Sequence, residues 1–128
     1  MAKVPLGDRE LKIGILGMTE GNGHPYSWSA MFNGYDPEEM AKCPFPVIPA
    51  YLSNQPEETF GMPGAHITHI CCTGYAEREE AENIARAAKI PNVLDNPLDM
   101  IGEVDAVICA TDVGDEHVPR GRASDVHR

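Results

Sequence analysis

The sequence feature that most restricts the fold is a short apolar run that ends in a glycine-rich turn. Residues 11–16 read Leu-Lys-Ile-Gly-Ile-Leu, Gly17 follows at once, and Gly21 and Gly23 precede Pro25. A continuous apolar run of this length predicts a strand buried on both faces, as parallel strands are. Proline suits the first turn of a helix, so Pro25 predicts that a helix begins there.

The rest of the chain alternates between strand and helix patterns. The predicted strands are residues 11–16, 66–73, 90–94 and 104–110, and the predicted helices are residues 25–32, 76–89 and, briefly, 95–101. This alternation predicts an α/β fold with right-handed crossovers, a Rossmann-type doubly wound parallel sheet truncated after about its fourth strand. In the second helix Glu82 and Arg86 have the spacing of an ion pair. The third is expected to be capped by Asp95 or Asn96.

A proline-rich insertion separates the first helix from the second strand. Residues 37–63 hold six of the eleven prolines, which excludes a long regular element and leaves room for a helical turn or two near residues 37–42 and 49–54. We therefore expect a lead-in at residues 1–10, one dinucleotide-binding domain at 11–118 that contains this insertion, and a tail at 119–128.

The net charge of the chain indicates which classes of partner are disfavoured. Ten Lys and Arg against twenty Asp and Glu give a net charge of -10, which disfavours nucleic acid and anionic membranes as partners. The start of the chain lacks a signal-peptide pattern, and the four cysteines lack a C-x-x-C spacing. We expect a cytoplasmic protein whose cysteines are buried free thiols.

In a parallel sheet of this kind, ligands bind outside the carboxyl ends of the strands. The segment 17–24 is the richest such place, because glycines let the backbone approach a pyrophosphate and the helix that follows offers free N–H groups. The strict G-x-G-x-x-G pattern would need glycine at position 19, where Thr19 stands. A plain strand-to-helix turn is the simpler reading of the glycines, but the surrounding strands and helix favour a nucleotide.

The end of the second strand bears on which dinucleotide would bind. An acidic residue there normally accepts hydrogen bonds from the adenosine ribose, but Thr73 occupies the position and Glu77 is expected in the following helix. No arginine lies beside Thr73 to hold a 2′-phosphate. The sequence therefore leaves NAD and NADP both open.

Other polar and aromatic residues have simpler explanations than a site. His66 and His69 lie three apart on a predicted strand and are expected on opposite faces, which disfavours a shared metal. A cluster after the fourth strand is expected to cap a helix or face solvent: Asp112, Asp115, Glu116 and His117. The aromatic residues of the first helix are expected in the core rather than on a ligand: Tyr26, Trp28 and Phe32.

Several segments within residues 11–118 share the pattern of one enzyme family. They are Lys12-Ile13-Gly14-Ile15-Leu16-Gly17, the helix pattern from Glu77 to Ala85, Ile90-Pro91-Asn92-Val93, Asp99-Met100-Ile101, and the run from Val104 to Thr111 with His117 beyond it. These segments resemble the amino-terminal domain of the Gfo/Idh/MocA oxidoreductases. The resemblance implies NAD(P) binding and hydride transfer to or from a sugar or polyol carbon. The family's lysine motif and substrate domain do not occur in the chain.

Together, the glycine turn and the resemblance imply one set of cofactor-binding residues and no catalytic residue. The set is Gly17, Met18, Thr19, Gly21, Asn22, Gly23, Thr73, Thr111, Asp112 and His117. We expect NAD or NADP as the cofactor, a homo-oligomer, and no dehydrogenase activity from this chain alone. A non-catalytic nucleotide-binding or interaction module is the main alternative. A domain that binds S-adenosylmethionine is a third.

Overall fold

The chain has an α/β fold built on a four-stranded, all-parallel sheet. The computed structural model describes residues 10–17, 23–72 and 78–110. The strands are β1 (Leu11–Gly17), β2 (Ala65–Cys72), β3 (Asn92–Val93) and β4 (Ala106–Cys109). The helices are α1 (His24–Asn33), α2 (Pro37–Met40), α3 (Val47–Ser53) and α4 (Arg78–Ala88), with 3-10 helices at Glu57–Thr59 and Pro97–Met100. The strands lie in the order β3-β2-β1-β4, which confirms the prediction of an α/β fold with a parallel sheet.

One face of the sheet carries the main hydrophobic core. Helices α1 and α4 pack on it, and the alternating apolar residues of β1 and β2 point toward them. Its fully buried members include Ile15, Tyr26, Ala30, Ile67, Ile70 and Ile84. The insertion also contributes Met40 and Leu52, both without exposed surface. The proline-rich segment is thus a structural part of the core.

The opposite face carries a smaller core under a 3-10 helix. Met100 is 2% exposed and packs with Leu16 and Cys71. It lies directly on Gly14, where a Cβ atom would stand 2.5 Å from the Met100 Sδ. Glycine at position 14 therefore provides the space that Met100 occupies. The predicted helix over residues 95–101 is only this 3-10 helix, and Asn96 rather than Asp95 caps it by accepting from the Leu98 N–H at 2.9 Å.

A β-bulge in β2 changes which residues share a face. Ile13 pairs with Ile67, but Gly14 pairs with His69, so Thr68 is an extra residue. Because register partners point to the same side, His66 and His69 both lie on the face of Met100. The prediction that they point to opposite faces is wrong for this reason.

The two histidines on that face have separate partners. His66 Nδ1 contacts the Glu10 carboxylate, and His69 Nδ1 is 2.8 Å from the Thr68 hydroxyl. Burial lowers the pKa of His69, nearby Glu103 raises it, and nearby Lys12 lowers it.

The outer strands are shorter than their apolar patterns predict. Strand β3 is two residues long. Before β4 begins, the Asp105 N–H donates to the Lys12 carbonyl at 2.7 Å, and the Asp105 carboxylate accepts from the Lys12 N–H at 2.9 Å. The Asp105 carboxylate thus takes the Lys12 N–H, with which a carbonyl of a longer β4 would otherwise pair. The predicted Glu82–Arg86 pair is also not formed, because Glu82 binds Arg78 at 3.1 Å and Arg86 lies 3.8 Å from Glu39.

The end of α1 is tied to the sheet by one side chain. Asn33 Nδ2 donates to the carbonyls of Ile67 at 2.9 Å and Ala88 at 3.0 Å, and Asn33 Oδ1 accepts from the Ile67 N–H at 2.9 Å. The amide thus pairs with both backbone polar groups of Ile67, as a neighbouring strand would. Gly34 ends the helix with φ 78°, as expected for a C-cap glycine. Among the described residues, no helix has the length and apolar composition needed to cross a membrane.

Candidate functional site

The carboxyl ends of three strands meet at one edge of the sheet. Gly17 pairs with Cys72, Leu16 pairs with Cys109, and the Ala110 N–H donates to the Leu16 carbonyl at 2.7 Å. Along the chain, the predicted cofactor-binding residues start at Gly17 and continue after β2 with Thr73 and after β4 with Thr111. The fold therefore brings together the three strand ends that these residues follow, as a single site at this edge requires.

Two glycines of the predicted set lie at places where a side chain would not fit. A Cβ at Gly17 would stand 2.5 Å from Pro25 Cγ, because the start of α1 packs directly against the end of β1. A Cβ at Gly23 would stand 2.5 Å from Ile48 Cδ1 and 2.7 Å from the Phe45 ring. Neither glycine has a positive φ angle. Close approach of neighbouring elements, not backbone conformation, requires glycine at both positions.

The first turn of α1 suits an anion. Gly23 supplies no side-chain cap, and no acidic residue lies in this turn. The other helix in contact with the sheet differs, since α4 begins with Glu79 and Glu80. The helix dipole favours negative charge at an N-terminus. Helix α1 therefore begins without an acidic side chain of its own, whereas α4 begins with two.

A hydrogen bond between a buried tyrosine and a glutamate, which the sequence did not predict, joins α1 to α4 at the same end of the sheet. Tyr26 is 1% exposed, and its hydroxyl donates to Glu80 Oε1 at 2.9 Å. Asn83 Nδ2 donates to the other carboxylate oxygen at 3.3 Å. Each residue is the third of its helix. A tyrosine and a carboxylate in the first turns of neighbouring helices are the sequence signal that could have indicated the contact.

The cysteines near this contact are free and held in the thiol form. Burial is the main cause that raises the pKa of Cys72 to about 12, with added contributions from Cys71 and Glu80. Burial likewise raises the pKa of Cys43, whose thiol donates to the Phe45 carbonyl at 3.7 Å. Because the thiolate is the reactive species, these two residues act as apolar packing groups. This agrees with the prediction of free thiols, although Cys109 is only half-buried.

The aromatic residues of α1 are distributed as expected. Tyr26 is in the core, and Trp28 and Phe32 are partly buried against it. The Trp28 ring also stacks on the His24 ring, with centroids 4.5 Å apart and an interplanar angle of 6°. These contacts confirm that the aromatic residues pack on the body of the domain.

Only part of the predicted site falls within the described residues. Gly17 and Gly23 lie at the edge where β1, β2 and β4 end. The other predicted members lie outside the described residues: Met18, Thr19, Gly21, Asn22, Thr73, Thr111, Asp112 and His117. So do the remaining residues of the acidic cluster, Asp115 and Glu116, as well as Glu77 and the predicted tail. Within residues 10–17, 23–72 and 78–110, no group of three or more His, Cys, Asp and Glu is placed to hold a metal ion.

A separate cavity of about 530 Å³ lies at the opposite, amino-terminal end of the sheet. Its lining includes Asn33, Tyr35, Gln55, Glu57, Phe60 and Lys89. Tyr35 and Phe60 meet edge to face with centroids 5.2 Å apart. Gly17 and Gly23, the two predicted cofactor-binding residues that the structure describes, do not line this cavity.

No protein-family model, curated protein or solved structure matches this chain.

Proposed function

We propose that this chain is a Rossmann-type NAD(P)-binding domain, similar to the amino-terminal domain of the Gfo/Idh/MocA oxidoreductases. The strand order β3-β2-β1-β4 supports this proposal. From β1 the chain runs outward through β2 to β3, and then returns to the other side of β1 for β4. The direction of winding reverses between β1 and β4, and dinucleotides bind at such a switch point.

The observation that carries the proposal is the packing of Gly17 against Pro25 at that switch point. It places the start of α1 beside the carboxyl end of β1, with no acidic side chain in the first turn. A pyrophosphate held by backbone N–H groups needs this arrangement of strand end, glycine and helix start. The residues we assign to the pyrophosphate are Gly17, Thr19, Gly21, Asn22 and Gly23.

In this proposal the domain binds and orients the cofactor for a hydride transfer at a sugar or polyol carbon. NAD(P) supplies the hydride chemistry, and the protein supplies position and electrostatics. The chain carries no residue to which we assign proton transfer, so it is catalytically incomplete by itself. The four cysteines form no disulfide with one another, which supports a reducing compartment such as the cytoplasm.

Calorimetric titration of NAD and of NADP into the purified chain tests this function. We expect at least one dinucleotide to bind, and we expect no turnover with sugars or polyols. Gly21→Val is expected to abolish binding because a branched side chain would block the approach of the backbone to the pyrophosphate. Glu57→Val, at the far end of the sheet, is the control and is expected to bind like the unmodified chain.

Gly21 is preferred over Gly17 for this test, because a side chain at Gly17 would also displace Pro25. Circular dichroism shows whether each variant is folded. The absence of binding at millimolar cofactor to the folded, unmodified chain would refute the proposal and favour an interaction module. Turnover that persists through repurification would contradict the expectation of an incomplete enzyme.

A further inference from the structure

One lysine of the described chain has a backbone conformation that otherwise belongs to glycines. The glycines with a positive φ angle are Gly34, Gly61, Gly64 and Gly102. Among the described residues, Lys89 is the one other residue in this region, with φ 59°. L-amino acids with a side chain adopt the left-handed region only at a cost in energy. The backbone at Lys89 is therefore strained in a way that glycine would relieve.

The strain lies at the end of α4. Lys89 follows the last residue of this helix, and the Ile90 N–H donates to the Ala85 carbonyl at 2.9 Å. This bond is typical of a Schellman motif, whose left-handed residue is usually glycine. The chain thus has a lysine side chain at a position where helix termination favours none.

Lys89 lines two neighbouring cavities at the amino-terminal end of the sheet. One is the cavity of about 530 Å³ described above, and the other has a volume of about 380 Å³. Asn33 lines both cavities as well, so they meet between the ends of α1 and α4. Lys89 forms no ion pair with a described residue. The strained residue is therefore a cation that is available to a ligand of either cavity.

Two further polar side chains of the larger cavity lack a partner among the described residues. They are the hydroxyl of Tyr35 and the amide of Gln55, and both residues are half-buried. Together with the Lys89 ammonium group they give the lining three kinds of hydrogen-bond donor. Small-molecule sites are typically concave surfaces with a few polar groups of this kind.

The same cavity has an aromatic wall. Tyr35 and Phe60 meet edge to face with their centroids 5.2 Å apart, and both pack against the main hydrophobic core. Their contact with the core holds the two rings in place. A volume of about 530 Å³ also lies within the usual range for small-molecule sites. The cavity therefore offers an apolar surface for a ring beside donors for an anionic group.

The charges around the cavity favour an anion with a single charge. Lys89 is the one cation among the described lining residues, and Glu57, an exposed residue of the 3-10 helix, lines the same cavity. A carboxylate carries one negative charge, whereas a phosphate monoester carries about 1.5 to 2 at neutral pH. Lys89 balances the first, but the surplus charge of the second is opposed by Glu57 and by the net charge of -10.

We propose that this cavity binds a small carboxylic acid that carries an aromatic or other apolar ring. The carboxylate accepts from Lys89, Tyr35 and Gln55, and the ring packs against Tyr35 and Phe60. This inference does not rest on the proposed cofactor site, because the cavity lies at the opposite end of the sheet.

Titration of the isotope-labelled, full chain with phenylpropionate, followed by NMR spectroscopy, tests the proposal. We expect saturable shifts of the signals of Tyr35, Phe60 and Lys89, with a Kd at or below about 1 mM. Acetate lacks the ring, and phenylpropanamide lacks the charge. Each is expected to bind at least about fivefold more weakly than phenylpropionate. Phenyl phosphate is also expected to bind more weakly, because of its surplus charge.

Variants of Lys89 separate binding from folding. Lys89→Gly should weaken binding of phenylpropionate about tenfold and raise the Tm by about 2 to 6 °C, because it removes the cation and relieves the backbone strain. Lys89→Gln should weaken binding to the same extent without this gain in Tm. Lys42→Gln is the control, because it makes the same change in charge at a residue that is paired with Glu39 at 3.2 Å. It should bind like the unmodified chain.

The aromatic wall has its own variant. Phe60→Ala should weaken binding of phenylpropionate and leave the weak binding of acetate unchanged, since acetate has no ring to pack. A loss of affinity for both compounds alike would refute the role of the wall. Circular dichroism shows whether each variant is folded.

The remaining outcomes decide the inference directly. The absence of saturable binding of phenylpropionate up to about 10 mM would overturn it, as would shifts confined to residues outside the cavity. Tighter binding of phenyl phosphate would overturn the assignment to a carboxylate. Unchanged affinity in a folded Lys89→Gly variant would refute the role of Lys89. All of these results are independent of whether the chain binds a dinucleotide.

Discussion

At the scale of single residues, the contact between Gly14 and Met100 shows how closely the 3-10 helix approaches the sheet. A Cβ at position 14 would stand 2.5 Å from the Met100 Sδ and 3.3 Å from its Cε. We expect Gly14→Ala to lower the free energy of unfolding by about 1 to 3 kcal/mol through overpacking. Met100→Ala is expected to cost about 2 to 5 kcal/mol through lost burial.

A double-mutant cycle separates steric conflict from other effects of the Gly14 substitution. When Met100→Ala is already present, Gly14→Ala should cost much less, because the space that its methyl group needs has been vacated. Urea denaturation of the four proteins measures the coupling. If the losses in the free energy of unfolding from the two substitutions simply add, direct packing between the two residues is contradicted.

The buried tyrosine Tyr26 and the buried cysteine Cys72 predict that the fold loses stability at alkaline pH. Burial is the main cause that raises the pKa of Tyr26 and of Cys72, the latter to about 12. In an unfolded chain, thiols lose their protons at about pH 8.5 and tyrosines at about pH 10. Above them the native state binds more protons than the unfolded state, so raising the pH favours unfolding. Each group contributes up to about 1.4 kcal/mol per pH unit.

Urea denaturation between about pH 7 and about pH 10.5 measures this loss. Cys72→Ala should make the decline shallower above about pH 8.5. Val107→Ala, which truncates a half-buried residue with no titratable group, should lower stability at every pH and leave the slope unchanged. A stability that stays constant up to about pH 10.5 would show that these groups titrate alike in both states.

At the scale of elements, Asn33 replaces a missing length of β3. Strand β3 pairs with His69 and Ile70, and the Asn33 amide satisfies the Ile67 backbone just before that pairing begins. Asn33→Ala should lower the free energy of unfolding by about 2 kcal/mol, since it leaves partly buried backbone groups without partners. Asn33→Asp should retain the bond from the Ile67 N–H and lose both donated bonds.

Thermal or urea denaturation ranks the stability of these variants at the end of α1. We expect the alanine variant to be the least stable and the aspartate variant to lie between it and the unmodified chain. Asn54→Ala is the control, because Asn54 is an exposed residue at the end of α3. Equal losses at positions 33 and 54 would contradict the strand-like role of the Asn33 amide.

The elements that the sequence predicted well are those whose signals are local. The apolar run of β1 and the proline in the first turn of α1 are signals within their own segments, and the structure has both elements nearly at the predicted bounds. The proline density also excluded long helices from residues 37–63 correctly. The predicted length of β4 was too great, because Asp105 forms its backbone and side-chain bonds with Lys12, a residue of β1 that is distant in the sequence.

The parts of the site that sequence reasoning missed depend on contacts between elements. The bulge at Thr68 exists only in the pairing of β1 with β2, so a strict alternation of faces along β2 could not reveal it. The Tyr26–Glu80 bond joins residues 54 positions apart. The glycines were expected from their place in the chain, but the neighbours that require them, Pro25 and Ile48, could be named only from the fold.

At the scale of the whole molecule, β4 forms one edge of the sheet that the structure describes. Ala106 is exposed, and Val107, Ile108 and Cys109 are only half-buried. Apolar strand edges pair with other chains. We expect the chain to be a dimer or larger, as the sequence also predicted. Light scattering over a dilution series measures this, and a monomer at micromolar concentration would contradict it.

A charge at the edge strand tests where the copies meet. Ala106→Lys should favour the monomer, because a lysine on an edge strand opposes pairing. Lys89→Ala, at the amino-terminal end of the sheet, serves as the control and should leave the assembly unchanged. Equal assembly of all three proteins would place the contact away from β4.

The pairing of β1 with β4 also governs the order in which the chain acquires structure during synthesis. Lys12 and Asp105, which join these strands, are separated by 93 residues. At a translation rate of about 5 to 20 residues per second, roughly 5 to 20 s pass between their appearances. During that interval β1, which is buried from Ile13 to Gly17, has no neighbour on its β4 side. We therefore expect a nascent chain of this fold to bind chaperones that recognise extended apolar segments until Cys109 has been made.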